Sequence, residues 1–175
     1  KADLGVIWDG DGDRCIFLDE QGELVEPYFI TAILSEIILK KRPGAKILHD
    51  PRLTWAINET IKNNGGFSLV SKAGWSNFLT EMLKEKILLG GETSGHYFFS
   101  NLLISGAKEE NFVFGDGLLP ILFILEHLSQ TGKPLSQLAE SYRQNYFVSG
   151  ERNFKLSSSK KLLKTLEEKY KDAKI

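Results

Sequence analysis

The sequence has little of the chemistry that marks several large classes of protein. A single cysteine, Cys15, excludes an internal disulfide framework and any zinc site built from several cysteines. The longest apolar runs, such as residues 118–125, are far shorter than the ~20 residues that a membrane span needs. Among 175 residues, Lys and Arg total 22 and Asp and Glu 23. This net charge of −1 gives no reason to expect nucleic acid or a membrane as a partner.

The N-terminus also lacks the features of a targeting sequence. It has no initiator Met, no basic region and no apolar core of the kind that signal peptides carry. Residues 1–4 lead at once into an apolar run and a dense acidic cluster. We therefore expect a cytoplasmic protein, and we expect these residues to be part of a longer chain.

Hydrophobic periodicity predicts alternating strands and helices. Short apolar runs predict strands at residues 5–8, 15–18, 24–25, 45–48, 67–70, 87–89 and 97–99. Helical spacing predicts helices at residues 28–41, 53–64, 77–86, 117–129 and 134–145. Short connections between alternating elements predict an α/β fold, with one three-layer domain around a mixed, largely parallel sheet.

Partial domains are expected on both sides of this one. A predicted strand at residues 147–155 and a charged helix at residues 160–170 cannot close a core by themselves. We place the domain boundaries at residues 1–22, 23–145 and 146–175.

The strongest chemical signal is Asp9-Gly10-Asp11-Gly12-Asp13-Arg14. Three carboxylates so close together repel one another unless a cation neutralises them, and hard oxygen ligands suit Mg²⁺ or Ca²⁺. A solvated acidic turn is the plainer interpretation. An EF-hand calcium loop is another, with Glu20 at its last ligand position, although Arg14 replaces the required Gly and strand-like runs flank the loop.

A second signal, Gly91-Glu92-Thr93-Ser94-Gly95-His96, follows an apolar strand. In an extended loop, Glu92, Ser94 and His96 project to one side, where they can hydrogen-bond sugar hydroxyls. A glycine-rich hairpin with incidental polar residues remains the alternative. Ligands of α/β sheets bind at the carboxyl ends of strands, where this loop lies.

Two cations follow other strands of the predicted sheet. Arg52 comes after one strand and Lys72-Ala73-Gly74-Trp75 after the next, so both are placed to meet an anionic ligand. On residue type alone, an ordinary surface charge is the favoured interpretation of each. Trp75 is either a stacking platform for a ligand or a rim residue that packs under the next helix.

The motifs at residues 9–14 and 91–96, the order of elements between them and Asp116-Gly117 ahead of a helix together resemble the α-D-phosphohexomutase family. The likeness covers essentially the whole chain. It implies four domains around one cleft. This chain would hold the end of the second domain, the complete third and the start of the fourth, with the other domains of the parent chain as its partners.

The resemblance also implies roles for particular residues. Asp9, Asp11 and Asp13 would hold Mg²⁺, and Arg14 would act as a catalytic residue beside the reacting phosphate. The substrate-binding residues would be Arg52, Lys72, Gly74, Trp75, Glu92, Ser94 and His96. Arg52 stands where the family commonly has Lys, and Trp75 stands where several members have His or Asp.

The implied reaction moves a phosphoryl group between the 1- and 6-hydroxyls of a hexose, through a phosphoserine and a bisphosphorylated sugar. We do not expect the phosphoserine among these residues, so the chain alone is predicted to be inactive. Phosphoglucosamine mutase is an alternative, against which Thr93 argues because glucosamine members often carry Gln there. A non-catalytic module that binds a metal or a sugar phosphate is the other alternative.

Overall fold

The strands form two separate sheets. The computed structural model describes residues 2–103, 111–150 and 153–172. The first sheet is antiparallel and contains, in spatial order, β1 (Gly5–Trp8), β2 (Cys15–Leu18) and β3 (Leu24–Val25). The second has the spatial order β5-β4-β6-β7-β8. Its strands are β4 (Lys46–His49), β5 (Phe67–Val70), β6 (Leu89–Gly91), β7 (Tyr97–Ser100) and β8 (Val113–Gly115).

Helices cover both faces of the five-stranded sheet. They are α1 (Pro27–Lys41), α2 (Trp55–Asn63), α3 (Trp75–Glu85), α4 (Leu119–Thr131) and α5 (Leu135–Arg143). A further helix, α6 (Ser159–Lys169), has no buried residue and joins neither core. Side chains of α1, α2, α4 and α5 share the larger core on one face. Phe78 and Met82 of α3 form a smaller core on the other face with Leu48 and Phe98 of the sheet. The predicted three-layer α/β architecture is confirmed.

The direction of the strands agrees with a mixed, largely parallel sheet. Strand β4 pairs in parallel with β5 and with β6, whereas β7 runs antiparallel to both β6 and β8. Four strands therefore run one way and β7 runs the other. The carboxyl ends of β4, β5 and β6 consequently lie at one edge of the sheet.

Helix α1 is the centre of the larger core. Pro27 begins it, at a position where the missing N–H of proline breaks no helical hydrogen bond. Eleven of its fifteen residues are buried, including Thr31 and Ser35. The buried Thr31 hydroxyl donates a hydrogen bond to the Pro27 carbonyl, and the buried Ser35 hydroxyl donates to the Thr31 carbonyl, each one turn back.

Three expectations need correction. The strand predicted at residues 147–155 is absent from the described part of that range, where Phe147 and Phe154 are 90% and 75% exposed and no ladder satisfies the backbone. Strand β8 was not predicted, because its three residues are too few to show a period. Strand β6 begins two residues later than predicted and includes Gly90 and Gly91.

No helix within the described residues is long and apolar enough to span a bilayer.

Candidate active site

The acidic motif is the turn of a β-hairpin. Residues 9–14 connect β1 to β2, whose register pairs Trp8 with Cys15 across the turn. Oxygens of the Asp9, Asp11 and Asp13 carboxylates all lie within 4.8 Å of one another. An EF-hand needs a helix on each side, so the strands on both flanks exclude that alternative. Glu20, its expected last ligand, instead accepts hydrogen bonds from the amide and hydroxyl of Ser136.

Arg14 partly neutralises the acidic turn. Its Nε lies 2.6 Å from Asp9 Oδ2 and 3.6 Å from Asp13 Oδ1, and its amide donates to Asp9 Oδ1 at 3.2 Å. Burial raises the pKa of Asp9, but the hydrogen bonds and positive charge of Arg14 outweigh it, so the pKa is lowered. Asp9 is therefore ionised at neutral pH.

The oxygens of the acidic turn fit a hard cation. Asp9 Oδ2 and Asp13 Oδ1 are screened from solvent but accept no aligned hydrogen bond, Asp9 Oδ2 having only the ion-pair contact with Arg14. Arg14 brings one positive charge to three carboxylates, so the turn keeps an excess of negative charge that a further cation would neutralise. Together with the close spacing of the three carboxylates, this fits Mg²⁺ or another oxygen-seeking divalent ion.

The acidic turn is fixed to the segment that precedes α4 by a hydrogen bond and a close backbone approach. The Trp8 indole donates to the Gly117 carbonyl at 2.9 Å. A Cβ on Gly117 would lie 2.4 Å from the Gly12 carbonyl oxygen, so only glycine allows this approach. The Asp116 carboxylate accepts from the amides of Leu118 and Leu119, which begins α4 beside the turn.

The two sequence motifs meet directly. Arg14 forms an isolated β-bridge with His96, and the Cys15 amide donates to the Gly95 carbonyl at 3.0 Å. His96 Nε2 lies 3.4 Å from Asp13 Oδ2. A cation held by the acidic turn would therefore lie beside the Glu92–His96 loop.

The Glu92–His96 loop is a tight turn. The extended loop that would project its alternate residues to one side, as the sequence predicted, is not formed. The Glu92 amide donates to the His96 carbonyl and the Gly95 amide to the Glu92 carbonyl. Gly95 has φ +81°, and a Cβ there would meet the Cys15 carbonyl oxygen at 2.8 Å. Glu92 and Ser94 still converge, because the Ser94 hydroxyl donates to Glu92 Oε2 at 3.0 Å.

Glu92 joins this loop to the Lys72–Trp75 segment. It is 6% exposed, and its Oε1 accepts from the Gly74 amide at 2.5 Å. Gly74 has φ +116° and directly precedes α3, so the turn depends on glycine. Lys72 is exposed at this edge of the sheet.

Aromatic rings enclose His96. The Trp75 ring stacks on the His96 ring, with centroids 5.7 Å apart and an interplanar angle of 24°, and the Phe98 ring lies 4.1 Å away. A Cβ on Gly115 would lie 2.6 Å from His96 Nε2 and 2.7 Å from Trp75, so glycine makes room for both rings. His96 is 7% exposed and Trp75 44%, which leaves Trp75 as the solvent-facing ring.

Asp50 is the site residue that sequence reasoning missed. It follows β4, is 1% exposed, and accepts hydrogen bonds from Arg52 and Thr93. Burial raises the pKa of Asp50, but these hydrogen bonds outweigh it and the pKa is lowered. The only signal in the sequence was its position at the end of a predicted strand. This end of the sheet borders a cleft of about 460 Å³, lined in part by Tyr28, Arg52 and Thr93.

Comparison with known proteins decides the family. A family model described as phosphoglucomutase/phosphomannomutase, alpha/beta/alpha domain III, matches residues 26–146. The chain belongs to the phosphoglucomutase/phosphomannomutase family. The resemblance to the α-D-phosphohexomutases is thereby confirmed.

Three relatives illustrate the likeness. A protein named phosphohexose mutases from Xanthomonas campestris pv. campestris is 39% identical over 91% of this chain and 34% of its own length. A phosphomannomutase from Vibrio cholerae serotype O1 is 39% identical over 93% of this chain and 34% of its own length. The crystal structure of a phosphoglucomutase/phosphomannomutase family protein from Burkholderia thailandensis has TM-score 0.68 and 30% identity, over 79% of this chain and 29% of that one.

The chain spans about a third of the length of the curated relatives that it matches. Because these relatives are named as mutases, the family is one of isomerases that act on sugar phosphates.

Proposed function

We propose that this chain supplies the metal loop and the sugar-binding loop of a phosphohexomutase, which interconverts hexose 1-phosphate and hexose 6-phosphate through a phosphoserine and a bisphosphorylated sugar. The observation that carries the proposal is the direct contact of the two loops through His96 and Asp13, 3.4 Å apart. A divalent ion and a sugar phosphate can then occupy one continuous site. The phosphoserine is expected outside these 175 residues.

Asp9, Asp11 and Asp13 are the residues that would hold Mg²⁺. When bound, the ion supplies positive charge that stabilises a transferring phosphoryl group. Arg14 is proposed to lie beside the same phosphate. Its guanidinium already spans Asp9 and Asp13, so it is oriented before any ligand arrives.

Glu92, Ser94, His96 and Trp75 are proposed to bind the sugar ring. Each Glu92 oxygen accepts one hydrogen bond from the protein, which leaves each with a further lone pair for a sugar hydroxyl. Trp75 offers an exposed aromatic face. The Thr93 hydroxyl donates to Asp50 and so holds the loop in place. This contact gives no reason for Thr93 to distinguish hexose from glucosamine substrates.

Arg52, Lys72 and Gly74 are proposed to help bind the sugar phosphate, the two cations by meeting its negative charge and Gly74 by holding Glu92 through its amide. Arg52 and the Lys72–Gly74 segment follow neighbouring parallel strands, β4 and β5, and therefore lie at one edge of the sheet. Anions bind well where side-chain cations converge. The cleft of about 460 Å³ borders Arg52 and Thr93, so of these three residues it supports a ligand contact for Arg52 alone.

The domain boundaries at residues 22 and 145 remain part of the proposal. Residues 1–22 would end the metal-binding domain, residues 23–145 would form the sugar-binding domain, and residues 146–175 would begin a fourth. The exposure of every residue of α6, including Leu162, Leu163 and Leu166, supports the last assignment, because its apolar side needs a partner.

The metal is tested by titrating the chain with Mg²⁺ and with Ca²⁺ and following backbone amide signals of the acidic turn. We expect weak Mg²⁺ binding that Asp11→Asn removes. Asp3→Asn makes the same charge change outside the turn and should have no effect. Binding that survives Asp11→Asn would leave the acidic turn with a structural role alone.

The sugar site is tested by titrating glucose 1-phosphate and mannose 1-phosphate in the presence of Mg²⁺. Glu92→Gln keeps an acceptor for the Gly74 amide but removes the charge, so affinity should fall roughly ten- to a hundredfold while Mg²⁺ affinity is unchanged. Glu81→Gln on α3 is the matched control. Loss of Mg²⁺ affinity in Glu92→Gln, with sugar binding intact, would assign Glu92 to the metal.

Catalysis is tested with the same chain in a coupled assay on glucose 1-phosphate. We expect background turnover only, because a stored phosphoryl group needs the phosphoserine. Turnover proportional to chain concentration would contradict the proposal that the phosphoserine lies outside these residues. Sugar-phosphate binding without any role in turnover of a complete mutase would favour the non-catalytic module.

A further inference from the structure

Asp50 lies between two loops that are distant in the sequence. Its carboxylate accepts five hydrogen bonds, three from Arg52 and two from Thr93. Thr93 is 43 residues further along the chain. At 1% exposure, Asp50 itself has no surface to offer a ligand. Its contacts therefore act on the two loops and not on bound molecules.

The Arg52 side chain meets Asp50 with two parallel bonds. Arg52 Nε lies 3.2 Å from Oδ1, and Nη2 lies 2.8 Å from Oδ2. This paired geometry fixes the plane of the guanidinium as well as its distance. The Arg52 amide also donates to Oδ1 at 2.9 Å, which fixes the backbone of the same residue.

The Thr93 contacts hold the sugar-binding loop to the same carboxylate. The Thr93 amide and hydroxyl both donate to Asp50 Oδ2, at 2.8 and 3.0 Å. Thr93 is flanked by Glu92 and Ser94, whose side chains hydrogen-bond each other. A shift of Asp50 would therefore move the peptide that carries both proposed sugar ligands.

The backbone of Asp50 is in turn anchored to the sheet. Its carbonyl oxygen lies 2.9 Å from His49 Nδ1, and His49 is fully buried. His49 Nε2 lies 2.9 Å from the Ser68 hydroxyl of β5. Since the ring is held at both nitrogens, Asp50 projects from a rigid base.

We propose that Asp50 is a positioning residue, which holds the Arg52 guanidinium and the Thr93 peptide in the arrangement that binds a hexose phosphate. The inference rests on the proposed function of the same loops. Groups held in their binding geometry before the ligand arrives lose less freedom on binding, so affinity is higher. Sequence proximity explains the link to Arg52 but not the link to Thr93.

The first test needs no ligand. The Nε–H proton of Arg52 should exchange slowly with solvent in the wild type, since it is bonded to a buried carboxylate, and about tenfold or more faster in Asp50→Asn. Asp19→Asn is the matched control, because Asp19 is also a buried carboxylate that accepts two backbone amides, in the β2–β3 turn. Equal exchange in the wild type and Asp50→Asn would overturn the proposal.

A milder variant covers the case in which Asp50→Asn does not fold. Thr93→Val keeps the shape of residue 93 and removes only its hydroxyl bond to Asp50. Because Thr93 and Arg52 share the carboxylate, Arg52 Nε–H exchange should rise several-fold in this variant. An unchanged rate would mean that the two loops are not coupled through Asp50.

The second test separates positioning from general stability. Asp50→Asn and Arg52→Ala should each weaken glucose 1-phosphate binding about tenfold, and the double variant should remain well short of the hundredfold expected for independent effects. Asp19→Asn should lower the melting temperature without changing affinity. Additive losses would overturn the proposal. If the wild type binds no hexose phosphate, the proposed function fails, and the exchange measurements still decide the role of Asp50.

Discussion

Gly91 should be one of the least replaceable residues of the chain. It ends β6 and directly precedes Glu92. A Cβ at this position would lie 2.4 Å from Thr31 Oγ1 and 2.5 Å from Thr31 Cγ2, whereas ordinary contacts are 3.4–4 Å. Thr31 cannot turn away cheaply, because it is 1% exposed and its hydroxyl donates to the Pro27 carbonyl at 2.9 Å. Gly91→Ala must therefore separate α1 from β6.

The expected cost follows from overpacking. Inserting a methyl group into a filled core typically costs ~1–3 kcal/mol, and the gain from a stiffer unfolded chain returns only ~0.4–1 kcal/mol. We expect Gly91→Ala to lower the free energy of unfolding by about 1–2 kcal/mol. Urea unfolding followed by circular dichroism measures this, with an unchanged m value. Glucose 1-phosphate affinity should fall too, since the displaced strand carries Glu92.

Thr31→Ala makes the prediction specific. It removes both atoms in the closest contacts and leaves only Thr31 Cβ, at 3.0 Å from the added methyl. The double variant should therefore be more stable than the sum of the two single losses, by about 1 kcal/mol. Gly10→Ala is the control, because nothing lies within 4 Å of its Cβ. Strict additivity, or a Gly91→Ala variant as stable as Gly10→Ala, would refute the packing argument.

Three further predictions concern buried or paired polar groups. Burial and the charges of Asp116 and Asp9 raise the pKa of Cys15 to about 12, so a thiol reagent at about pH 8 should label it only after unfolding. The pKa of Asp50 is lowered in the folded chain, so the stabilisation that it contributes is complete above about pH 4 and is lost as pH falls. The free energy of unfolding should therefore decrease less steeply with falling pH in Asp50→Asn than in the wild type. Ser136→Ala removes one hydrogen bond to Glu20 and should lower the free energy of unfolding by about 1 kcal/mol.

Local patterns predicted the elements whose sequence signals are local. Hydrophobic runs and periodicity gave α1, α2, β4 and β5 within two residues or so, and the glycines marked the turns at both motifs. Gly95 is an example of such a turn. Its φ of +81° is a backbone conformation that residues with a side chain rarely adopt, so a glycine there indicates a turn. The predictions for β8, which was missed, and for residues 147–155, whose described part holds no strand, were wrong for one reason. A strand is defined by its neighbour, and a short apolar run does not say whether a neighbour exists.

The same limit applied to the site. The sequence grouped Asp9, Asp11 and Asp13 correctly because all three lie in one turn. It did not predict that Glu92 accepts from the Gly74 amide, 18 residues away, or that Asp50 accepts from Thr93, 43 residues away. Those contacts arise because parallel strands bring their carboxyl ends to one edge of the sheet. The separation of two residues along the sequence does not indicate that their loops meet in this way.

Hydrogen-bond saturation separates carboxylates that look alike in the sequence. Asp50 accepts five hydrogen bonds and Glu92 accepts from Gly74 and Ser94, so their charge is satisfied by the protein. The Asp9 and Asp13 side chains are 24% and 38% exposed, and Asp9 Oδ2 and Asp13 Oδ1 accept no aligned hydrogen bond but lie 2.6 and 3.6 Å from Arg14 Nε. A carboxylate saturated with hydrogen bonds has little to gain from a cation, whereas three clustered carboxylates that share one arginine have more to gain. On the proposed function, the acidic turn is therefore the candidate for the cation, and the buried Asp50 carboxylate holds the loops beside it.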